Sequence, residues 1–393
     1  MLVVLGAVGF ARFAFGMILP AMAADLRLDY HQQGMLGASY FLGYLAVVAL
    51  LPWLAPKLGC RRLCVGGLGM VAAGLMAMSL GRDYLYLWIS YFVVGLGSGA
   101  AFIGAMSLPS AWFHPSHRAR AAGLATAGAG LGILISGLLV PRVSAGLVMT
   151  SWQLIWLIFA AAALLFSLLA ALTIRNRPAE LGLMPFGRAS GGGTHAAVAL
   201  GGVMRSWPFL LRLGTIYSLF AATGLTYTTF IVTTMVDSLS VPVATAGLLW
   251  TVVGGLSIFS GPLFGNISDR WGYRVGMLSA LLLQAVAYAL IASGTGLMGL
   301  YVSLVLFGLS AWSMPSIVAA TAGDHLGAEK AAAGFAILTL MFAVGQVLGP
   351  AGAGTLAAWN GGFALSFGIA ASLNIVAVLL CLFLRLPARA GTH

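Results

Sequence analysis

The chain reads as a succession of long apolar runs parted by short polar turns. Twelve runs are long enough to cross a bilayer: 2–24, 33–55, 63–81, 84–112, 119–141, 151–174, 209–236, 243–266, 274–294, 297–322, 331–358 and 362–384. Each must be a helix, because hydrocarbon offers no partner to a free backbone N–H or C=O. The pattern therefore predicts an all-α membrane protein. The longest hydrophilic stretch, Arg175 to Ser206, falls between the sixth and seventh runs and holds a flexible piece, Ser190-Gly191-Gly192-Gly193-Thr194. It splits the chain into a six-helix bundle over 1–174, a cytosolic central loop over 175–208 and a second bundle over 209–393.

Composition excludes a soluble globular domain: 61% of the 393 residues are hydrophobic, 7% are charged and the mean hydropathy is +1.03. The 53 glycines suit close helix–helix approach. A net charge of +11 would fit a nucleic-acid binder, but its placement argues for topology instead. Fifteen of the 19 basic residues fall on one side of the twelve spans, whereas Arg27, Arg82 and Arg142 fall on the other. The positive-inside rule then puts both termini in the cytoplasm of a multi-pass inner-membrane protein. Cys60, Cys64 and Cys381 form neither a disulfide framework nor a metal-ligand cluster, so no metal or cofactor is expected. No basic region precedes the first apolar run, so no signal peptide is expected. The lack of a polar leader before Leu2 suggests a misassigned start or a truncated chain.

The two halves resemble each other. Leu54-Ala55-Pro56-Lys57-Leu58-Gly59-Cys60-Arg61-Arg62 follows the second span, and Ile267-Ser268-Asp269-Arg270-Trp271-Gly272-Tyr273-Arg274 follows the eighth, with Gly59 falling onto Gly272 at an offset of 213. Ala121-Ala122-Gly123 and Ala332-Ala333-Gly334 open the fifth and eleventh spans alike. Parallel repeats of six spans are a transporter architecture.

The stretch Gly265-Asn266-Ile267-Ser268-Asp269-Arg270-Trp271-Gly272-Tyr273-Arg274 resembles the signature loop of the major facilitator superfamily, G-x-L-A-D-R-x-G-x-R. With the twelve spans and the repeat, that resemblance covers the whole chain. It implies two pseudo-symmetric six-helix bundles around a central cavity, working by alternating access. It also implies that Gly265, Asp269, Arg270, Gly272 and Arg274 act in gating, with Asp269 near the start of the fifth span beside Arg118 and Arg120. In the first-half copy Pro52, Pro56 and Lys57 replace the family's Gly, Asp and Arg, so the second-half loop is expected to carry the latch. Gly9-Phe10-Ala11-Arg12-Phe13-Ala14-Phe15-Gly16 is similar to the first span of a little-characterised bacterial branch. Arg177 to Gly187 looks like the loop after the sixth span in bacterial facilitators of carboxylates, the monocarboxylate-porter-like group among them.

Arg12 is the one full charge deep in a span, about 15 Å from either end of the first run. A guanidinium presents a planar fork of donors that suits a carboxylate. The bland alternative is an Arg bonded to backbone carbonyls near Gly9 or Gly16. In the implied architecture spans 1, 4, 7 and 10 line the cavity. Tyr227 shares a helical stripe with Thr223 and Thr234, and its phenol is a second candidate for the substrate. Gln346 lies in Gly345-Gln346-Val347-Leu348-Gly349-Pro350, where the proline predicts a kink, and Phe13 adjoins Arg12. For each of these, core packing is the competing reading, and Gln284 reads as helix–helix glue.

No catalytic constellation, phosphate loop or metal spacing is present in the sequence, so an enzyme is not expected. Three functions remain: transport of a small organic anion, most simply a monocarboxylate; proton-coupled efflux of amphipathic drugs or metabolites; and a sensor or scaffold on a transporter fold. No carboxylate lies deep in a span, which counts against cation efflux. The expected partners are the anion, the bilayer and protons if transport is coupled to them, with the chain acting as a monomer and without nucleic acid.

Overall fold

A computed structural model describes residues 1–113, 115–146, 151–184, 186, 206–326 and 328–384. The Gly-rich piece of the central loop, with Arg188, Arg205, Arg385 and Arg389, lies outside the described residues, as do the side chains of Arg118 and Lys330. Among the described residues twelve helices have the length and apolarity to cross a membrane. They are α1 (Leu2–Leu26), α2 (Tyr30–Leu51), α3 (Lys57–Leu80), α4 (Tyr84–Pro109), α5 (Ala121–Ser144), α6 (Trp152–Thr173), α7 (Trp207–Ser238), α8 (Val243–Trp271), α9 (Tyr273–Ala292), α10 (Gly296–Leu326), α11 (Gly334–Asn360) and α12 (Ala364–Leu382).

Local chemistry sets the helix ends. Asp29 caps α2 by accepting from the Gln32 amide at 2.7 Å, while the Gln32 side chain accepts from the Asp29 amide at 3.1 Å. This reciprocal box satisfies two amides that the first turn would leave orphaned. Asp83 caps α4 from one side only, accepting from Tyr86 N–H at 3.0 Å. The sequence separates spans 2 and 3, yet the helical ladder runs through both and breaks its dihedrals only at Gly59, φ 72° and ψ 164°. Gly272, at φ 89° and ψ 158°, makes the corresponding turn between α8 and α9. α10 is two helices, Gly296–Ser310 and Ser313–Leu326. Pro315 sits in the first turn of the second piece, where its missing N–H costs nothing. The Trp312 amide freed at the break donates to Ser260 Oγ at 3.0 Å. α11 continues through Pro350 as helix.

The chain divides into two compact units. The first comprises Met1–Gly193 with Ile231–Gly254, and the second Thr194–Phe230 with Gly255–His393. In the first, α1 crosses α5 where Gly9 meets Gly132, and neither position has room for a Cβ. Lipid gives helices no hydrophobic reason to associate, so such close backbone approach is what holds them. The second unit is built on a buried cluster that includes Phe209, Leu213, Phe264, Met277, Met314 and Leu338.

Candidate functional site

Arg12 belongs to an unusual part of α1. Leu5–Phe13 is wound as a π-helix, with ordinary α-helix resuming at Ala14, whose N–H donates back five residues to Gly9. The wider turn leaves carbonyls available to neighbouring helices, and α2 and α4 use them. Tyr91 Oη donates to Ala11 O at 3.0 Å, and Tyr40 Oη reaches Ala7 O at 3.4 Å. Ser98 Oγ also donates to Ala7 O and bonds Tyr40 Oη. Isolated π turns gather at functional sites.

Arg12 as a whole is partly buried. The central carbon of its guanidinium lies 4.8 Å from the ring centre of Phe13 and 4.8 Å from that of Phe41. Two rings turn the negative faces of their quadrupoles to the cation in place of water, typically ~0.5–2 kcal/mol per ring. Tyr91 bonds the carbonyl next to Arg12, and Tyr40 and Tyr44 flank Phe41 on α2. Phe15 stacks on Tyr91 at 4.8 Å and Tyr40 tilts against Tyr91 at 5.3 Å, so the rings form one continuous wall.

Five carboxylates are committed near helix ends. Asp25 accepts from Trp152 Nε1 at 3.0 Å, and Asp324 from Tyr273 Oη at 2.7 Å. Glu180 accepts from the Asn176 amide at 3.3 Å, while Asp29 and Asp83 act as caps. Among the described residues no cluster of His, Cys, Asp or Glu could hold a metal.

The other expected binding residues sit differently. Tyr227 faces the interior of the second unit rather than an open cavity. It is fully buried, its hydroxyl pairs with Ser303 Oγ at 2.8 Å, and its ring stacks on Phe307 at 4.1 Å. Ser303 in turn donates to Ala287 O at 2.7 Å. Thr223, on the same stripe, bonds Asn374 Oδ1 at 3.1 Å. The stripe is thus a helix-packing seam, because a polar face in lipid serves neighbouring helices as readily as a substrate. Gln346 is 2% exposed, beside Gly345 and Gly349, which abut α7 carbonyls at Ser218 and Ala222. Gln284 Nε2 donates to Ser310 O at 3.4 Å and its Oε1 accepts from Tyr288 Oη at 2.9 Å. Phe13 is buried beneath Arg12.

In the signature loop Asp269 is exposed at the end of α8, and Gly265 lies one turn before it. Arg270 lies over the Trp271 ring at 5.7 Å. Arg274 Nη2 donates to Leu384 O at 2.6 Å, just past α12. The first-half loop makes the same bond despite its substitutions: Arg61 Nη2 donates to Ala171 O at 2.7 Å, in the last turn of α6. Residue-by-residue comparison of the loops found the lost Asp and missed the retained Arg. Sequence reasoning also missed Tyr40, Phe41, Tyr44 and Tyr91. The run Tyr40-Phe41-Leu42-Gly43-Tyr44 was the available signal, three aromatics within one helical turn.

The comparisons agree with this architecture. The family profile described as "Uncharacterised MFS-type transporter YbfB" matches residues 4–382. A putative tartrate transporter of Agrobacterium vitis is 26% identical over 402 residues, which cover 95% of this chain and 86% of that protein. The class C tetracycline resistance protein of Escherichia coli is 30% identical over 145 residues, 37% of this chain and 36% of the relative, so the chain spans about a third of that relative's length. Among solved structures, a bacterial homologue of the human lysosomal transporter Spinster, inward-facing and unoccupied, has a TM-score of 0.78 at 15% identity, covering 97% of this chain and 95% of that one. The nucleoside transporter NupG has a TM-score of 0.74 at 15% identity, with 98% of each chain covered. The twelve-helix fold is that of these transporters, and the chain is a multi-pass membrane transporter belonging to the major facilitator superfamily, in the family of uncharacterised MFS-type transporters that includes YbfB.

Proposed function

We propose that the chain is a secondary active transporter that moves a small organic anion, most simply a monocarboxylate, across the cytoplasmic membrane by alternating access. Arg12 binds the carboxylate. The observation that carries this reading is the placement of its guanidinium about 15 Å into α1, on a partly exposed residue and faced by two rings at 4.8 Å each. A cation kept at that depth is costly, and its planar fork suits a carboxylate bidentately. The commitment of five carboxylates near helix ends also suits an anion carrier, since a cation carrier needs an acid deep in a span. The tartrate relative, matched over 95% of this chain, supports an organic acid.

The excess of basic residues on one side supports both termini in the cytoplasm. The chain acts as a monomer, and a coupled proton travels with the substrate. Gly265, Asp269, Arg270, Gly272, Arg274 and Arg118 serve the closing and opening of the cytosolic side.

The test is a thermal-shift screen of the purified protein against carboxylates, neutral compounds and cations. Carboxylates stabilise the wild type and leave Arg12→Ala unmoved. Stabilisation by cations alone sinks the reading. A second reading, efflux of amphipathic drugs, draws on the tetracycline relatives over their 145 matched residues. It predicts stabilisation by large amphiphiles and none by short acids.

A further inference from the structure

α2 brings a second polar group towards Arg12. Residues three and four apart share a helix face, so Tyr44 lies one turn along from both Phe41 and Tyr40. The Phe41 ring faces the Arg12 guanidinium at 4.8 Å, which puts Tyr44 on the side of α2 that meets Arg12. Its position is also fixed by α4. Gly95 abuts the Tyr40 carbonyl with no room for a Cβ, and a Cβ on Gly99 would come 3.3 Å from Tyr44 Cδ2.

The phenols of Tyr40, Tyr44 and Tyr91 divide by what their hydroxyls do. Tyr40 and Tyr91 are each 1% exposed and give their hydroxyls to the carbonyls of Ala7 and Ala11. Tyr44 is partly exposed, like Arg12, and no bond to its hydroxyl is found among the described residues. Two of the phenols therefore brace the π turn, and Tyr44 is left out of that bracing.

We infer that Tyr44 is a second substrate-binding residue beside Arg12, and that the pair selects a short carboxylate with a further oxygen on the neighbouring carbon, a 2-hydroxy or 2-oxo acid. The inference rests on the reading of Arg12 as the carboxylate site. The guanidinium takes the carboxylate through two N–H groups. The phenol, both donor and acceptor, meets either a hydroxyl or an oxo group. An acid lacking that oxygen strips water from the phenol and returns nothing, which is how a polar site rejects an analogue.

The test is calorimetric and thermal-shift binding to the purified full chain, with propionate, 2-hydroxypropionate and 2-oxopropionate as probes. Wild type, Tyr44→Phe and Arg12→Ala are compared. The wild type prefers the two oxygenated acids by roughly fivefold, the worth of one net hydrogen bond. Tyr44→Phe binds propionate at least as well as the wild type and loses the preference, and that affinity shows the variant is folded. A preference that survives in Tyr44→Phe overturns the role of Tyr44. Equal wild-type affinity for all three acids overturns the substrate class. If Arg12→Ala binds like the wild type, or the wild type binds none of the three, the Arg12 reading falls and this inference falls with it.

Discussion

Arg61 and Arg274 stand 213 positions apart and make the same bond, each to the carbonyl of a residue, Ala171 or Leu384, that is also displaced by 213. The repeat seen in the two loops thus extends to a tertiary contact. In each half the residue two positions after a positive-φ glycine reaches the end of the sixth helix of its repeat. The last carbonyls of a helix have no partner within it, and a cation near them gains from the helix dipole.

Arg61→Ala and Arg274→Ala should each lower stability by about 1 kcal/mol, since both donors are charged, yet Arg61 is only half-buried and Arg274 is exposed. Arg→Lys should restore part of the loss. Thermal unfolding of the purified variants measures this. Equal melting of wild type and both alanine variants would show the contact to be idle.

The glycines of the two turns should respond unequally to the same substitution. Both lie in a region that is nearly closed to other residues, which costs ~1–3 kcal/mol on replacement. At Gly59 a Cβ would also come 2.8 Å from Asn176 Oδ1, the atom that accepts from the Arg61 amide at 2.9 Å. At Gly272 a Cβ meets nothing within 4 Å. Gly59→Ala should therefore melt at a lower temperature than Gly272→Ala. The reverse order would refute the argument from space.

Arg12→Ala should reduce uptake of the identified substrate by more than tenfold while membrane insertion and folding persist, and Arg12→Lys should recover little. Transport into proteoliposomes, with expression and melting as controls, is the measurement. Normal uptake by Arg12→Ala would remove Arg12 from the site.

Tyr227→Phe separates packing from binding. It deletes the bond to Ser303 Oγ, while Ser303 still donates to Ala287 O. Stability should drop by about 1 kcal/mol, with the KM for uptake unchanged. A raised KM at normal stability would return Tyr227 to the substrate.

These cases show what the sequence could carry. The spans were legible because every turn of a membrane helix must be apolar, and the offset of 213 was legible because Gly59 and Gly272 are demanded by backbone dihedrals. The depth of Arg12 followed from counting residues along α1. The faces were not legible. Tyr227 and Thr223 have the spacing of a cavity stripe, but that spacing also serves bonds to Ser303 and Asn374 on neighbouring helices. The π winding of Leu5–Phe13 left no mark in composition, and the hydroxyls that bond its carbonyls come from Tyr40, Tyr91 and Ser98 on other helices. Phe41 became visible only when α2 was placed beside α1.

The Gly9–Gly132 crossing has a consequence for how this protein can change. Where two bulky side chains meet, enlargement of one can be offset by trimming the other. Here both partners are already the smallest residue there is, so no second-site change within the pair can compensate. A methyl at either position must push the two backbones apart. Gly9 lies three residues before Arg12, so that push would be felt as a displaced charge as well as a looser bundle. The crossing is a point of zero mutational slack, and it sits almost one turn from Arg12.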